Sequence, residues 1–302
     1  MRSEVRKIHP GQGLHELSNS EGDSFRFQLA FAKSQTEDIL SNFDSLIENT
    51  SNRAPLRTKG FCLDRVTDPE LTHEEDKWER AMYKKWGPAG SDQFVPVCKR
   101  IQTYQYPLQE RGKESRYWGK IDLLGIGADF LPVPIELKKR DAVESPLRML
   151  VEVVAYGFAI RKVWPRLKDH WDKAVRWFGV SPSQLPEKLD RVTLICVAPD
   201  EYWRRCLGLL AGTKRGAFPS QAWPPFWKLV DAFGRWFDIH FVALDGSWDT
   251  DDMAGLPTIT GARILDLRSL TLDPAPGNAN QQLIRAARDA FPRTYQRTVR
   301  GS

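Results

Sequence analysis

The sequence predicts an α/β protein. Its core runs helix, strand, strand, strand, helix, strand, as a central mixed sheet flanked by helices, with an addition at each end. Three observations carry that prediction. Residues 71 to 86 have helical spacing. Residues 94 to 139 hold three strand-like runs, the last two joined by a turn. Residues 145 to 163 are apolar nearly all round, as in a buried helix, and the short apolar run Arg191 to Val197 follows, as in a central strand. The chain divides into an N-terminal accessory segment (1–55), a core domain (56–245) and a C-terminal extension (246–302).

Composition bounds the function classes. A chain of 302 residues is long enough for one large domain or a core plus a smaller addition. Net charge is +5 and the sequence pI about 9.0, which permits a polyanionic partner without requiring one. Small basic clusters lie at 138–140, 161–168 and 285–300. Eleven tryptophans fit a Trp-rich core, a partner surface or stacking on bases. Cys62, Cys98, Cys196 and Cys206 lack the spacing of a zinc ribbon or an iron–sulfur site and read as reduced thiols of a cytoplasmic protein. The polar start and the lack of a long apolar run predict no signal peptide and no membrane span.

Taken in order, 25–31 alternates like a strand, Thr36 to Glu48 has helical spacing, and 49–53 is a polar linker. Thr72 with Glu75 reads as a capping box opening the helix of 71–86, which carries Glu75, Glu79, Met82 and Trp86 on one face. Phe94 to Tyr106 is the first core strand, with Pro96 near its beginning. Ser145 suits the N-cap and Pro146 the first turn of the helix to Val163. On it Arg148, Glu152, Ala155 and Ala159 share a stripe whose small residues would let the helix lie close to the sheet, bringing Arg148 and Glu152 toward the strands; the plainer role for that pair is an i,i+4 ion pair. A helix near 201–210, a helix 227–236 and a strand 237–244 follow, with a structural His240. Beyond Asp245 the chain is turn-rich, with a strand-like run at 262–267 and a helical run at 281–291.

The chemistry centres on Lys120 to Lys139, KIDLLGIGADFLPVPIELKK. Alternation puts Ile135 and Leu137 on a core face and Glu136 and Lys138 on the other, about 6–7 Å apart. Asp122 takes the face opposite Ile121 and Leu123, and Gly125, Gly127, Asp129, Pro132 and Pro134 supply turn and edge chemistry. If the strands pair, Asp122 and Glu136 converge into a hard-oxygen site suited to Mg²⁺ or Mn²⁺. A neighbouring ammonium suits an attacking water or a developing phosphorane charge.

Asp122, a 13-residue gap, and Glu136-Leu137-Lys138 resemble the PD-(D/E)xK nuclease superfamily, with Ile121 where the name-giving pattern has proline. The resemblance spans about residues 70 to 200, where the αβββαβ order also matches. It implies a restriction-endonuclease-like core and a metal-dependent endonuclease. Asp122, Glu136 and the Leu137 carbonyl would hold Mg²⁺ or Mn²⁺, Glu79 (or second Glu75) would add a ligand, and Lys138 would position the water. Arg148, Glu152 and Lys139 would support the site or touch phosphate. The nucleic acid is DNA by that resemblance, since a metal-bound phosphate site does not itself read the sugar. A homodimer would suit cutting both strands. The alternatives are a non-cleaving nucleic-acid-binding protein and a structural protein. The absence of G-x-S-x-G, a P-loop and G-x-G-x-x-G removes support for nucleophilic hydrolases and nucleotide-binding enzymes.

Overall fold

The computed structural model describes residues 8–9, 11–19, 32–55, 63, 73–90, 92–108, 118–209, 218, 220–247 and 255–272. Helices α1 (Leu14–Asn19), α2 (Ala32–Ser41) and α3 (Phe43–Arg53) precede α4 (Glu74–Trp86). Strands β1 (Cys98–Pro107), β2 (Lys120–Gly127) and β3 (Pro132–Leu137) follow, then α5 (Pro146–Arg176) and β4 (Val192–Pro199). The chain continues through α6 (Asp200–Cys206), α7 (Trp223–Phe233), β5 (Phe237–Ser247), β6 (Thr258–Leu265) and α8 (Leu267–Leu272).

The six strands form one mixed sheet in chain order. β1, β2 and β3 pair antiparallel, β3, β4 and β5 run parallel, and β6 returns antiparallel on β5. α4 touches both edge strands, β1 and β6, so the sheet curls around it. Alternation sorts the strand residues. Leu123, Ile135, Leu137, Ile195 and Val197 face Trp78, Met82 and Trp86 of α4, whereas Leu124, Ile126, Leu194 and Cys196 face α5. α1, α2 and α3 share the α5-side core, with α1 and α3 against α5 and α2 against α7. Most described tryptophans are core residues, and Trp177 is 81% exposed.

α5 is the long cross-connection between parallel β3 and β4, and its burial explains its all-round apolar sequence. Trp164, Leu167 and Trp171 are fully buried, each contributing about 1.5–3 kcal/mol by transfer from water. A Cβ on Gly157 would lie 2.6 Å from Phe237 Cε1 and 3.0 Å from Leu194 Cδ2, so glycine sets how closely this helix lies on the sheet.

Element boundaries differ from expectation in ways that have local causes. The helix expected to end at Val163 runs to Arg176, because the apolar spacing continues through Pro165, a residue that ordinarily signals a stop. The helix read across Thr36 to Glu48 is two, broken at Asn42, whose side chain turns back to the Asp38 carbonyl at 2.8 Å. α6 is shorter than 201–210. α7 begins at Trp223 rather than Trp227, with its prolines in the first turn, where proline is tolerated. β6 starts four residues before the expected run at 262. Gly125 is inside β2 rather than in a turn; a Cβ there would meet Cys98 Sγ at 2.5 Å. The runs 25–31 and 281–291, Cys62 and Thr72 lie outside the described residues. At the start of α4 the Asp76 carboxylate accepts the His73 N–H at 3.3 Å. Among the described residues no helix is long and apolar enough to cross a membrane.

Candidate functional site

β2 and β3 pair from Ile126↔Pro132 to Leu123↔Ile135 and then separate. Continuing that register would set Asp122 opposite Glu136. Instead of a ladder bond, Asp122 Oδ2 accepts the Leu137 N–H at 2.8 Å, while the next amide, Lys138 N–H, donates to Val197 O of β4 at 3.0 Å. A trans peptide points its C=O and N–H in opposite directions, and among the described residues no peptide is cis. The Leu137 carbonyl therefore faces back toward β2, into the fork.

The fork is covered by α5, so the charged face of β3 is buried rather than open to a cleft. Glu136 is 2% exposed and Lys138 5%, while Asp122 is half-buried. Lys138 Nζ lies 2.5 Å from Glu136 Oε1 and 2.8 Å from Glu152 Oε2. Glu152 Oε1 accepts Arg148 Nε at 2.9 Å, and Arg148 Nη1 reaches Glu144 Oε1 at 3.3 Å. The i,i+4 pair of Arg148 and Glu152 is thus present, and the same Glu152 also ties α5 to Lys138.

α4 brings more acid. Glu79 is 3% exposed, and its Oε2 has no hydrogen-bond partner; Glu136 Oε2 is likewise buried without one. Glu75 Oε1 accepts the Lys139 N–H at 3.3 Å. The Lys139 side chain turns away to Asp141, 3.4 Å distant. Gln105, in the left-handed region at φ +49°, donates to Asp76 Oδ1 at 2.9 Å and accepts from Lys120 at 3.3 Å.

These neighbours disturb one another's protonation. Burial, then the charges of Asp122, Asp76 and Glu75, raise Glu79 to about 10. Burial raises Asp122 to about 7 against the pull of Lys138. Burial and the adjacent Asp122 hold Glu136 well above the carboxylate range. Burial opposes the charge on Lys138, but Glu136, Glu152, Glu75 and Asp122 outweigh it and raise its pKa, so it stays an ammonium. Burial opposes ionisation of Glu152 too, yet Lys138 and Arg148 bring it down to about 2.

Three participants carried little signal in the sequence. Tyr156, one turn beyond Glu152, is buried, and burial with the charges of Glu136, Glu152 and Asp122 pushes its phenol up; its i+4 spacing from Glu152 was the available cue. Arg205 of α6 is buried and donates to the carbonyls of Arg140 (3.2 Å) and Ala142, fastening the loop after Lys138. Tyr202 Oη donates to Glu144 O at 3.1 Å. His240, on β5, stands apart from the cluster; burial lowers its pKa.

Among the described residues no three His, Cys, Asp or Glu side chains are gathered into a ready metal cage. The oxygen donors of the fork are Asp122, Glu136 and the Leu137 carbonyl. That set suits a hard cation such as Mg²⁺, which is commonly held by one or two carboxylates and keeps several waters. The unpartnered Glu79 Oε2 and the raised pKa values of Glu75, Glu79, Asp122 and Glu136 fit such a charge. Comparison with protein-family models, with curated proteins and with solved structures gives no match.

Proposed function

We propose that this protein is a metal-dependent nuclease of the PD-(D/E)xK kind, with a restriction-endonuclease-like core, hydrolysing phosphodiester bonds in DNA. The observation that carries the proposal is the charge imbalance at the fork. Among the described residues, the carboxylates Glu75, Glu79, Asp122, Glu136 and Glu152 share Lys138 and Arg148 as their principal cations. The element order α4, β1, β2, β3, α5, β4 supports the assignment of the core.

Asp122, Glu136 and the Leu137 carbonyl would hold Mg²⁺ or Mn²⁺, with Glu79 behind them. A divalent ion there supplies a lowered water pKa and a polarised phosphate. Lys138, kept charged by Glu136 and Glu152, donates to the attacking water and offsets negative charge in the transition state. Its raised pKa makes it a poor proton acceptor at neutral pH, so it orients the water rather than deprotonating it. Glu152 and Arg148 hold that ammonium in place from α5.

A second reading, a structural or non-cleaving nucleic-acid-binding protein, is favoured by the burial of Glu136, Lys138 and Glu152 as an interior ion-pair network. Cleavage of supercoiled plasmid and of single-stranded DNA in Mg²⁺, Mn²⁺ and EDTA separates the two. Wild type is compared with Asp122→Asn, which keeps an oxygen for the Leu137 N–H. Metal-dependent cutting lost in the variant supports the nuclease. Folded protein that neither cuts nor takes up metal overturns it, and metal uptake without DNA cleavage redirects the proposal to RNA.

A further inference from the structure

A cavity of about 420 Å³ opens between α3, α5 and the connection from α5 to β4. Arg161, nine residues beyond Glu152, places it about 14 Å along the helix axis from the acidic fork. The volume is within the range of small-molecule sites, about 300–1,000 Å³.

Its lining has two chemical characters. Phe158 and Trp236 form an aromatic wall, edge to face at 5.5 Å, and Phe43 stacks against Trp236 at 6.3 Å, so the indole is fixed. Around that wall stand Arg161, Lys162 and Lys188, with Asp190 as the carboxylate of the lining. Structural duties account for part of this. Lys162 Nζ donates to the carbonyls of Ser51 and Asn52 at 3.0 and 2.8 Å, capping the end of α3. Arg161 Nε donates to Leu189 O at 3.0 Å. That bond uses one guanidinium donor and fixes the plane; the charge of Asp190 in the same lining also acts on this guanidinium, so an incoming anion would share Arg161 with it. Lys188 is exposed and holds no hydrogen bond or ion pair among the described residues.

We propose that this cavity binds a small aromatic anion of the nucleoside monophosphate class, its planar ring against Trp236 and Phe158 and its phosphate on Arg161 and Lys188. A planar π-system packs on aromatic faces, and phosphate suits the guanidinium fork. The proposal is independent of any nuclease activity at Asp122.

The test is isothermal titration of the full chain with dAMP, with deoxyadenosine and with inorganic phosphate, all in EDTA so that no metal at the fork recruits phosphate. dAMP should bind with a Kd below about 1 mM, and more tightly than either part. Lys188→Glu, an exposed change that leaves the core untouched, should weaken dAMP at least tenfold. Arg161→Lys, which keeps a donor for Leu189 O but loses the fork, should weaken it as well. Asp122→Asn should change nothing. A Kd above about 1 mM, binding indifferent to Lys188→Glu, binding lost in Asp122→Asn, or phosphate alone binding as tightly as dAMP would each overturn the proposal.

Discussion

Replacing Lys138 by methionine tests the centre of the network. The change removes the ammonium and keeps a side chain of nearly the same length, so packing is largely preserved. The lost group lies 2.5 Å from Glu136 and 2.8 Å from Glu152 and is 5% exposed with its residue. Removing one partner of a buried ion pair costs about 3–5 kcal/mol, mostly as the cost of the charges left behind. Both remaining carboxylates have an outlet. Burial and Asp122 hold the Glu136 pKa up, so it can take a proton once Lys138 is gone, and Glu152 retains Arg148 at 2.9 Å. The loss should therefore fall at the lower end, about 3 kcal/mol at pH 7. Urea unfolding followed by circular dichroism reads it as a lower midpoint at unchanged slope. The deficit has a pH signature. Lys138 holds down the pKa values of Asp122 and Glu152, so both rise in the variant, the folded variant takes up protons more readily than wild type, and the gap narrows from pH 7 to pH 5. A loss under about 1 kcal/mol at pH 7, or a gap that does not narrow, refutes the burial and pairing described for Lys138. In a double-mutant cycle with Glu152→Gln, the double variant should lose at least about 1 kcal/mol less than the two single losses added together.

Without metal, the raised values of Asp122 (about 7) and Glu79 (about 10) mean that the folded state holds protons which the unfolded state releases near pH 4. Stability should therefore decline as pH rises through 7 toward 10, and Glu79→Gln should flatten the upper part of that decline in thermal melts taken across pH. Gly125→Ala places a methyl 2.5 Å from Cys98 Sγ and 3.2 Å from Arg100 O; it should cost about 1–3 kcal/mol in urea unfolding. Arg205→Met strands the carbonyls of Arg140 and Ala142; it should cost about 3 kcal/mol and speed tryptic cleavage after the exposed Arg140.

Strand alternation reached the site because period 2 is a local property. It placed Glu136 and Lys138 on one face and Ile135 and Leu137 on the other, as the two cores show. It does not say whether the charged face is covered. That depends on α5, whose apolar sequence and Gly157 carried the information in a different part of the chain. Glu152 shows the same division. Its pairing with Arg148 follows from helical spacing, whereas its second oxygen meets Lys138 only through the packing of α5 on β3. Gln105 was invisible because glutamine in a strand-like run gives no sign of a left-handed backbone. Likewise, no local pattern ties Arg205 to a loop more than sixty residues earlier.

Burying an excess of negative charge is unfavourable unless something balances it. At the fork, Arg148 and Lys138 are already spent on Glu152, Glu144 and Glu136. Asp122, Glu75 and Glu79 remain, and they can be balanced by protons or by a cation. The two readings of the protein differ on that choice. Under the structural reading protons suffice, and melting is indifferent to Mg²⁺. Under the nuclease reading a divalent ion displaces those protons, so binding releases them. Titration of Mg²⁺ at pH 7 in two buffers of different ionisation enthalpy measures the release directly. A positive release that disappears in Asp122→Asn supports the cation, and a buffer-independent or absent heat removes the physical basis for the metal-dependent proposal.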